Sequence, residues 1–165
     1  MSARGSSCLS HVLPHYDVVC GVVELNGRIL CVRKSETKYA YTSHRWEFPG
    51  GKIESGELPE ASLRRELIEE LGLEVQVLRH LLTVEHAYPD FSIRLRAYHC
   101  RPVGNELQLR EHEALRWLPV EELGTLSWCD ADAPIAQFLA NDFLMAFPEG
   151  WQPGGLLIIE IFWLK

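Results

Sequence analysis

The segment GGKIESGELPEASLRRELIEELGL, residues 50–73, leaves little freedom in what the chain can build. Pro59 suits the first turn of a helix and Gly72 suits its end. Between them, at ~100° per residue, Leu63, Leu67 and Leu71 fall on one stripe. The spacing therefore predicts a helix from Pro59 to Leu71 seated on an apolar layer. Glu66 and Glu70 border that stripe directly, and Glu69 lies one step further round. Like charges three and four positions apart repel, and partial burial of three carboxylates is costly unless a cation neutralises them. Arg65 can pair with Glu69 at the next turn, but one guanidinium cannot balance three acids. A hard divalent cation can, because Mg²⁺ prefers carboxylate oxygens, keeps several waters and bridges to phosphate. The Gly50-Gly51 turn adds peptide carbonyls that can approach an ion closely. Taken alone, the carboxylates also fit an ordinary acidic surface helix laced with Arg64 and Arg65.

The remaining chain reads as one α/β domain. YDVVCGVVEL and RILCVRK, joined by Asn26-Gly27, form a strand-turn-strand signal. SETKYAYTSHR has no apolar period and reads as a loop, and the proline and glycines of WEFPGG break any regular element. EVQVLRHLLTVEHAY reads as a long strand. FSIRLRAYHC alternates Ile93, Leu95 and Ala97 with Ser92, Arg94 and Arg96, which predicts a half-buried antiparallel strand. ALRWLP is a further short strand, PVEEL a helical turn and APIAQFLANDFLMAF a final amphipathic helix. Residues 1–15 read as a loose tail and 16–145 as the domain. Residues 146–165, ending in GGLLIIEIFWLK, read as an apolar extension too short to cross a bilayer: an extra strand, a dimer contact or a sticky tail hanging off the fold.

Charge and cysteine usage narrow the function. The formal net charge of -7 opposes a stable grip on a nucleic-acid polymer or an anionic membrane, and a small anionic ligand would need a cation. The five cysteines are odd in number and lack a C-x-x-C pair, which fits neither a disulfide framework nor a zinc site. No early apolar run reads as a signal peptide. A soluble cytoplasmic protein, monomeric or homodimeric, is expected.

Gly51, Glu57, Arg65-Glu66-Leu67, Glu69-Glu70 and Gly72-Leu73 match every fixed position of the pattern G-x5-E-x7-R-E-U-x-E-E-x-G-U, where U is aliphatic. That pattern is the Nudix box, and the chain resembles the Nudix family. The flanking WEFPGGKIE, EHEALRW and ADAPIAQFL extend the resemblance to its MutT-like branch over roughly residues 16–145. The resemblance implies an α/β/α sandwich around a central mixed sheet. It further implies Mg²⁺-dependent hydrolysis of nucleoside triphosphates to a monophosphate and pyrophosphate, with Mn²⁺ as a substitute metal. In matching positions the Gly50 carbonyl, Glu66, Glu69 and Glu70 are the metal shell and Glu57 an outer ligand, while Arg65 orients the glutamates. Lys52, Arg33 or Lys34, and Glu47 are the implied substrate contacts. Glu111, in the LREHEALRW loop, and Glu69 compete as general base.

Two departures bear on the base. Asp132 falls where MutT carries an asparagine that recognises oxidised guanine and where some cytidine-triphosphate-preferring relatives carry aspartate. An ionised aspartate only accepts hydrogen bonds and suits the N4 amine of cytosine, whereas a protonated one could donate to a purine. Asp132 also reads as a helix N-cap ahead of Ala133-Pro134. Phe91 replaces a polar base-contacting side chain and could stack on any base. Trp46 and Phe48 read as pocket lining or core, and His86, His99 and His112 as structural or solvent-facing. Nucleotide-pool cleansing with a cytidine or damaged-base preference is thus expected. An 8-oxo-dGTP diphosphatase and a non-catalytic nucleotide-binding module are the alternatives.

Overall fold

A hairpin opens the domain. The structure, a computed structural model, describes residues 12–104 and 106–143. Strand β1 (His15–Leu25) turns through Asn26 and Gly27, at φ 51° and 71°, into β2 (Arg28–Arg33). Positive φ at both central residues is what a two-residue turn of this hand needs, and Asn-Gly supplies it. The short strands β3 (Trp46–Glu47) and β4 (Gly50–Lys52) follow, then helix α1 (Pro59–Leu71). Strands β5 (Val75–Ala87), β6 (Ser92–Pro102) and β7 (Ala114–Pro119) come next. A 3₁₀ turn (Val120–Thr125), helix α2 (Ala133–Phe138) and a π turn (Leu139–Phe143) complete the described chain.

The seven strands form one mixed sheet with the order β3-β2-β1-β6-β5, to which β4 adds on β1 and β7 on β2. Its two faces read directly from strand alternation. Val19 and Val23 of β1, Leu30 and Val32 of β2, and Tyr98 and Cys100 of β6 pack beneath Leu63, Leu67 and Leu71 of α1. Their neighbours Cys20, Val22, Ile29, Cys31, Leu95 and Ala97 point the other way, against Leu123, Ile135 and Leu139. Helical layers thus cover both faces of a mixed sheet, as expected. Among the described residues, no helix is long and apolar enough to cross a membrane.

Three local expectations change. WEFPGG is not devoid of regular structure: Phe48-Pro49 separates β3, paired with β2, from β4, paired with β1. The breakers force the chain to leave one part of the sheet and join another. Strand β6 is antiparallel to β5 but parallel to β1, and it is buried on both faces from Ala97 to Cys100, so its clean alternation ends there. Among the described residues the final helix is α-helical to Phe138 and then widens into the π turn, and residues 144–147 of the expected helix lie outside them. The tail up to residue 11 and the 146–165 extension lie outside the described residues.

Leu67 is fully buried under α1 while its neighbour Ile68 is 44% exposed. Leu67→Ala should destabilise the domain by about 2–5 kcal/mol. Ile68→Ala should stay within ~0.5 kcal/mol. Urea unfolding of the two variants checks both.

Candidate active site

The leucine stripe fixes the rotation of α1, and rotation fixes where its acids go. Glu70 is 9% exposed, whereas Glu69 stands in solvent. Glu66 reaches over β4, and a Cβ built on Gly51 would lie 2.3 Å from its carboxylate. Only glycine lets this acid descend onto the strand. Gly50 is constrained on the opposite side, where a Cβ would meet the Val19 carbonyl oxygen at 2.1 Å.

Arg65 is the hub of the surrounding charges. It holds Glu57 with two hydrogen bonds of 2.9 Å, and reaches Glu66 at 2.8 Å, Glu69 at 3.1 Å and the Lys52 carbonyl at 3.1 Å. This planar fork suits a paired carboxylate. The Arg65 hydrogen bonds pull the Glu57 carboxyl down to about 2. Glu70 is outside this network. The Gly50 N–H donates to it at a long 3.3 Å. Burial first, then the charges of Glu47, Glu66 and Glu111, push its carboxyl up to about 8. Glu111 therefore stands close enough for its charge to be felt at Glu70.

A cavity of about 580 Å³ opens beside these acids. Gly50, Gly51 and Lys52 bound it beneath α1, and Lys34, Glu47, Phe48, Phe91 and Asp132 line it elsewhere. Lys34 grips both oxygens of Glu47 at 2.8 and 2.9 Å, and His112 Nε2 contacts Glu47 at 3.0 Å. Burial raises the Glu47 carboxyl, but the His112 hydrogen bond and the Lys34 charge outweigh it and hold the group below its ordinary value. Asp132 moves the opposite way. Burial, then the Glu47 charge, drives it well above the usual carboxylate range. Cys129 completes a group of three ligand-type atoms with Glu47 and Asp132, all within 4.8 Å, and the Lys34 ammonium already supplies the cation there. Burial pushes the Cys129 thiol up, so it is a poor nucleophile.

Several expected positions shift. Arg33 is not brought to the cavity: it turns to Glu113 at 3.0 Å and to the His44 carbonyl, because alternation along β2 sends it opposite to Lys34. Lys52 lines the cavity with its ammonium 3.9 Å from the centre of the Tyr16 ring. Asp132 sits at the N-cap position of α2 but makes no capping hydrogen bond; its Oδ1 accepts instead from the Phe48 N–H at 2.9 Å. Phe48 lines the cavity while Trp46 packs in the core. Phe91 belongs to an aromatic ring-to-ring cycle with Tyr39, Tyr41 and Tyr88 at centroid spacings of 4.9–5.4 Å. The tyrosines were not singled out from sequence, although two aromatics in the polar segment KYAY were the available signal. Of the two expectations for His112, structural or solvent-facing, the structure shows the first: its side chain turns inward to Glu47.

The acids over β4 fit a hard divalent cation. Glu66, Glu69, Glu70 and the nearby Glu111 offer only oxygen donors, the Gly51 cradle has room for no side chain, and Glu70 stays protonated near neutrality without a neutralising charge.

The NUDIX domain family profile matches residues 14–139. The CTP pyrophosphohydrolase of Escherichia coli is 33% identical over 121 residues, spanning 73% of this chain and 88% of its own length. The 8-oxo-dGTP diphosphatase of the same organism is 31% identical over 110 residues, covering 67% and 84%. Two relatives from Mycobacterium tuberculosis are 42% identical over 92 residues, and the chain covers 63% of their length. Among solved structures, the solution structure of the E. coli ORF135 protein superposes with a TM-score of 0.67 at 31% identity, over 81% of this chain and 93% of that one.

A carboxyl whose folded pKa is raised stabilises the fold below its unfolded value, and that contribution is lost as pH rises through the folded value. Glu70, and Asp132 in the same direction, should therefore make the metal-free protein lose stability as pH climbs from about 4.5 to about 8. Thermal melting should show this decline, reduced in Glu70→Gln. A saturating divalent cation should raise the melting temperature more near pH 8 than near pH 4.5, because it competes with the Glu70 proton.

Proposed function

The chain belongs to the NUDIX family, and on that premise we propose that it hydrolyses (deoxy)nucleoside triphosphates to nucleoside monophosphate and pyrophosphate, using Mg²⁺ or, in its place, Mn²⁺. One observation carries this reading: a single cavity is bounded both by Gly50, Gly51 and Lys52 beneath the acid helix and by Asp132, Phe48 and Phe91. A base against the second set leaves a phosphate chain directed at the first.

Glu66, Glu69, Glu70 and the Gly50 carbonyl would hold the metal, with Glu57 outside them. When bound, the ion supplies neutralising charge on the phosphate oxygens and lowers the pKa of a bound water. The other contributions come from the chain itself. Lys52 faces the phosphates, since Lys34 is committed to Glu47 and Arg33 to Glu113. Arg65 keeps Glu66 and Glu69 oriented. Water oxygen bonds to the β-phosphorus, the bond from that phosphorus to the oxygen of the α-phosphate breaks, and the nucleoside monophosphate leaves with that oxygen. The water's proton passes to a carboxylate. Glu111 is the better acceptor, because Arg65 already engages Glu69 while among the described residues the Glu111 carboxylate has no hydrogen-bond or ion-pair partner.

Asp132 chooses the base. Its Oδ1 is committed to Phe48, which leaves the second oxygen for a ligand. An ionised Asp132 accepts from the cytosine N4 amine and favours cytidine nucleotides. A second reading rests on its burial: with its carboxyl held well above the ordinary range, Asp132 carries a proton and both donates and accepts, as an asparagine does. That form suits an oxidised guanine.

Pyrophosphate release from canonical, methylated and oxidised triphosphates with Mg²⁺ tests the assignment. Glu70→Gln should lower kcat by ~100-fold or more, the scale on which removal of a transition-state electrostatic group acts. Under the cytidine reading Asp132→Asn loses the preference. Under the oxidised-guanine reading it keeps that substrate, and the wild type handles it better as pH falls. No hydrolysis above the Glu70→Gln background on any triphosphate would overturn the proposal.

A further inference from the structure

Residues 106–113 carry no helix or strand, so the placement of Glu111 depends on what its neighbours hold. On one side, the Arg110 guanidinium donates to the Ile68 carbonyl at 3.0 Å, and the Arg110 N–H donates to the Glu70 carbonyl at 3.1 Å. Both acceptors lie in the last turn of α1, where a cation is electrostatically favoured. On the other side the Glu113 N–H donates to the Arg33 carbonyl at 3.0 Å, and just before it stands His112. Its side chain is 5% exposed, and its Nε2 lies 3.0 Å from Glu47 Oε1. Glu47 is ionised under the grip of Lys34, and an ionised carboxylate only accepts, so Nε2 carries the hydrogen. Among the described residues His112 Nδ1 is buried without a partner, so the bond to Glu47 is what anchors this ring. Glu111 itself is exposed between these two anchors, with its carbonyl accepting from the Ser35 hydroxyl at 3.0 Å.

We propose that His112 is a positioning residue: its half-buried hydrogen bond to Glu47 fixes the loop that holds Glu111 beside the acid helix. The inference rests on the assignment of Glu111 as proton acceptor in triphosphate hydrolysis. It also makes Glu47 serve two surfaces at once, the wall of the nucleotide cavity and the base of this loop.

The test uses the full chain. His112→Phe keeps the bulk of the ring and removes the hydrogen bond, His112→Ala replaces it if phenylalanine proves too large, and His112→Gln offers a replacement N–H donor. Steady-state pyrophosphate release on the best triphosphate is measured for each, alone and combined with Glu111→Gln, together with amide exchange over residues 106–113 and over α1. His112→Phe should lower kcat by ~10–100-fold, the cost of a small misplacement of a catalytic group, with KM changed by less than ~3-fold. It should add no further loss in the Glu111→Gln background, and His112→Gln should recover most of the activity. Amide exchange should accelerate over 106–113 and stay unchanged in α1. Losses that multiply with Glu111→Gln, an effect confined to KM, or an unchanged kcat would each overturn the proposal. If the wild type cleaves no triphosphate, the functional reading has failed by itself, and amide exchange decides whether His112 anchors the loop: faster exchange over 106–113 supports the anchor, and unchanged exchange overturns it.

Discussion

Seating α1 directly on β1 and β4 creates an electrostatic problem that the rest of the site answers. The leucine stripe is fully buried, so the helix cannot rotate to carry Glu66 and Glu70 into water. Rotation would expose Leu63, Leu67 and Leu71, and each buried aliphatic side chain is worth roughly 1.5–3 kcal/mol. Hydrophobic burial is non-directional, yet here it imposes direction on charges, because the two sets share one helix face.

The charges are then divided unequally. Arg65 takes Glu57, Glu66 and Glu69, and Glu70 is left with a long contact to one backbone N–H. A second guanidinium on Glu70 would offset the burial and the neighbouring charges that raise its carboxyl, and would take the place of the proposed cation. Among the described residues Glu70 is left without a cationic partner. This is the usual pattern of a functional site, where a local rule of stability is broken and the surrounding core holds the violation in place.

How far the sequence disclosed this follows the range of the interactions. The helix limits, the Asn26-Gly27 turn and the crowding of acids beside the leucine stripe are local, and each was legible from spacing. The antiparallel expectation for β6 holds on its β5 side and not on its β1 side, because periodicity along one strand reports burial and carries no direction of its partner; pairing with β1 joins residues such as His15 and Ser92 that are remote in sequence. Arg33 and Lys34 were interchangeable on paper, and strand alternation together with Glu113 separated them. The partner of His112 was not legible for a related reason: Glu47 lies 65 residues away, and a lone histidine in a polar loop carries no period. Asp132 looked like a helix cap because Asp-Ala-Pro is a good cap sequence, but the Phe48 N–H, brought by the break between β3 and β4, competes for the same oxygen and wins.

Glu47 and Asp132 extend the argument from stability to recognition. Both carboxyls are buried in one cavity, and two unscreened negative charges so close together are unfavourable. Lys34 and His112 donate to Glu47 and to neither oxygen of Asp132, so the ionised form settles on Glu47 and the proton on Asp132. The cavity wall thereby offers a pure acceptor beside a group that can donate. A ligand that brings its own amine can reverse the state of Asp132, because a donor to the ionised form lowers its pKa. On the proposed function, base preference would depend on which form the incoming base stabilises more, and Lys34, which fixes Glu47 as the charged partner, would share that choice with Asp132.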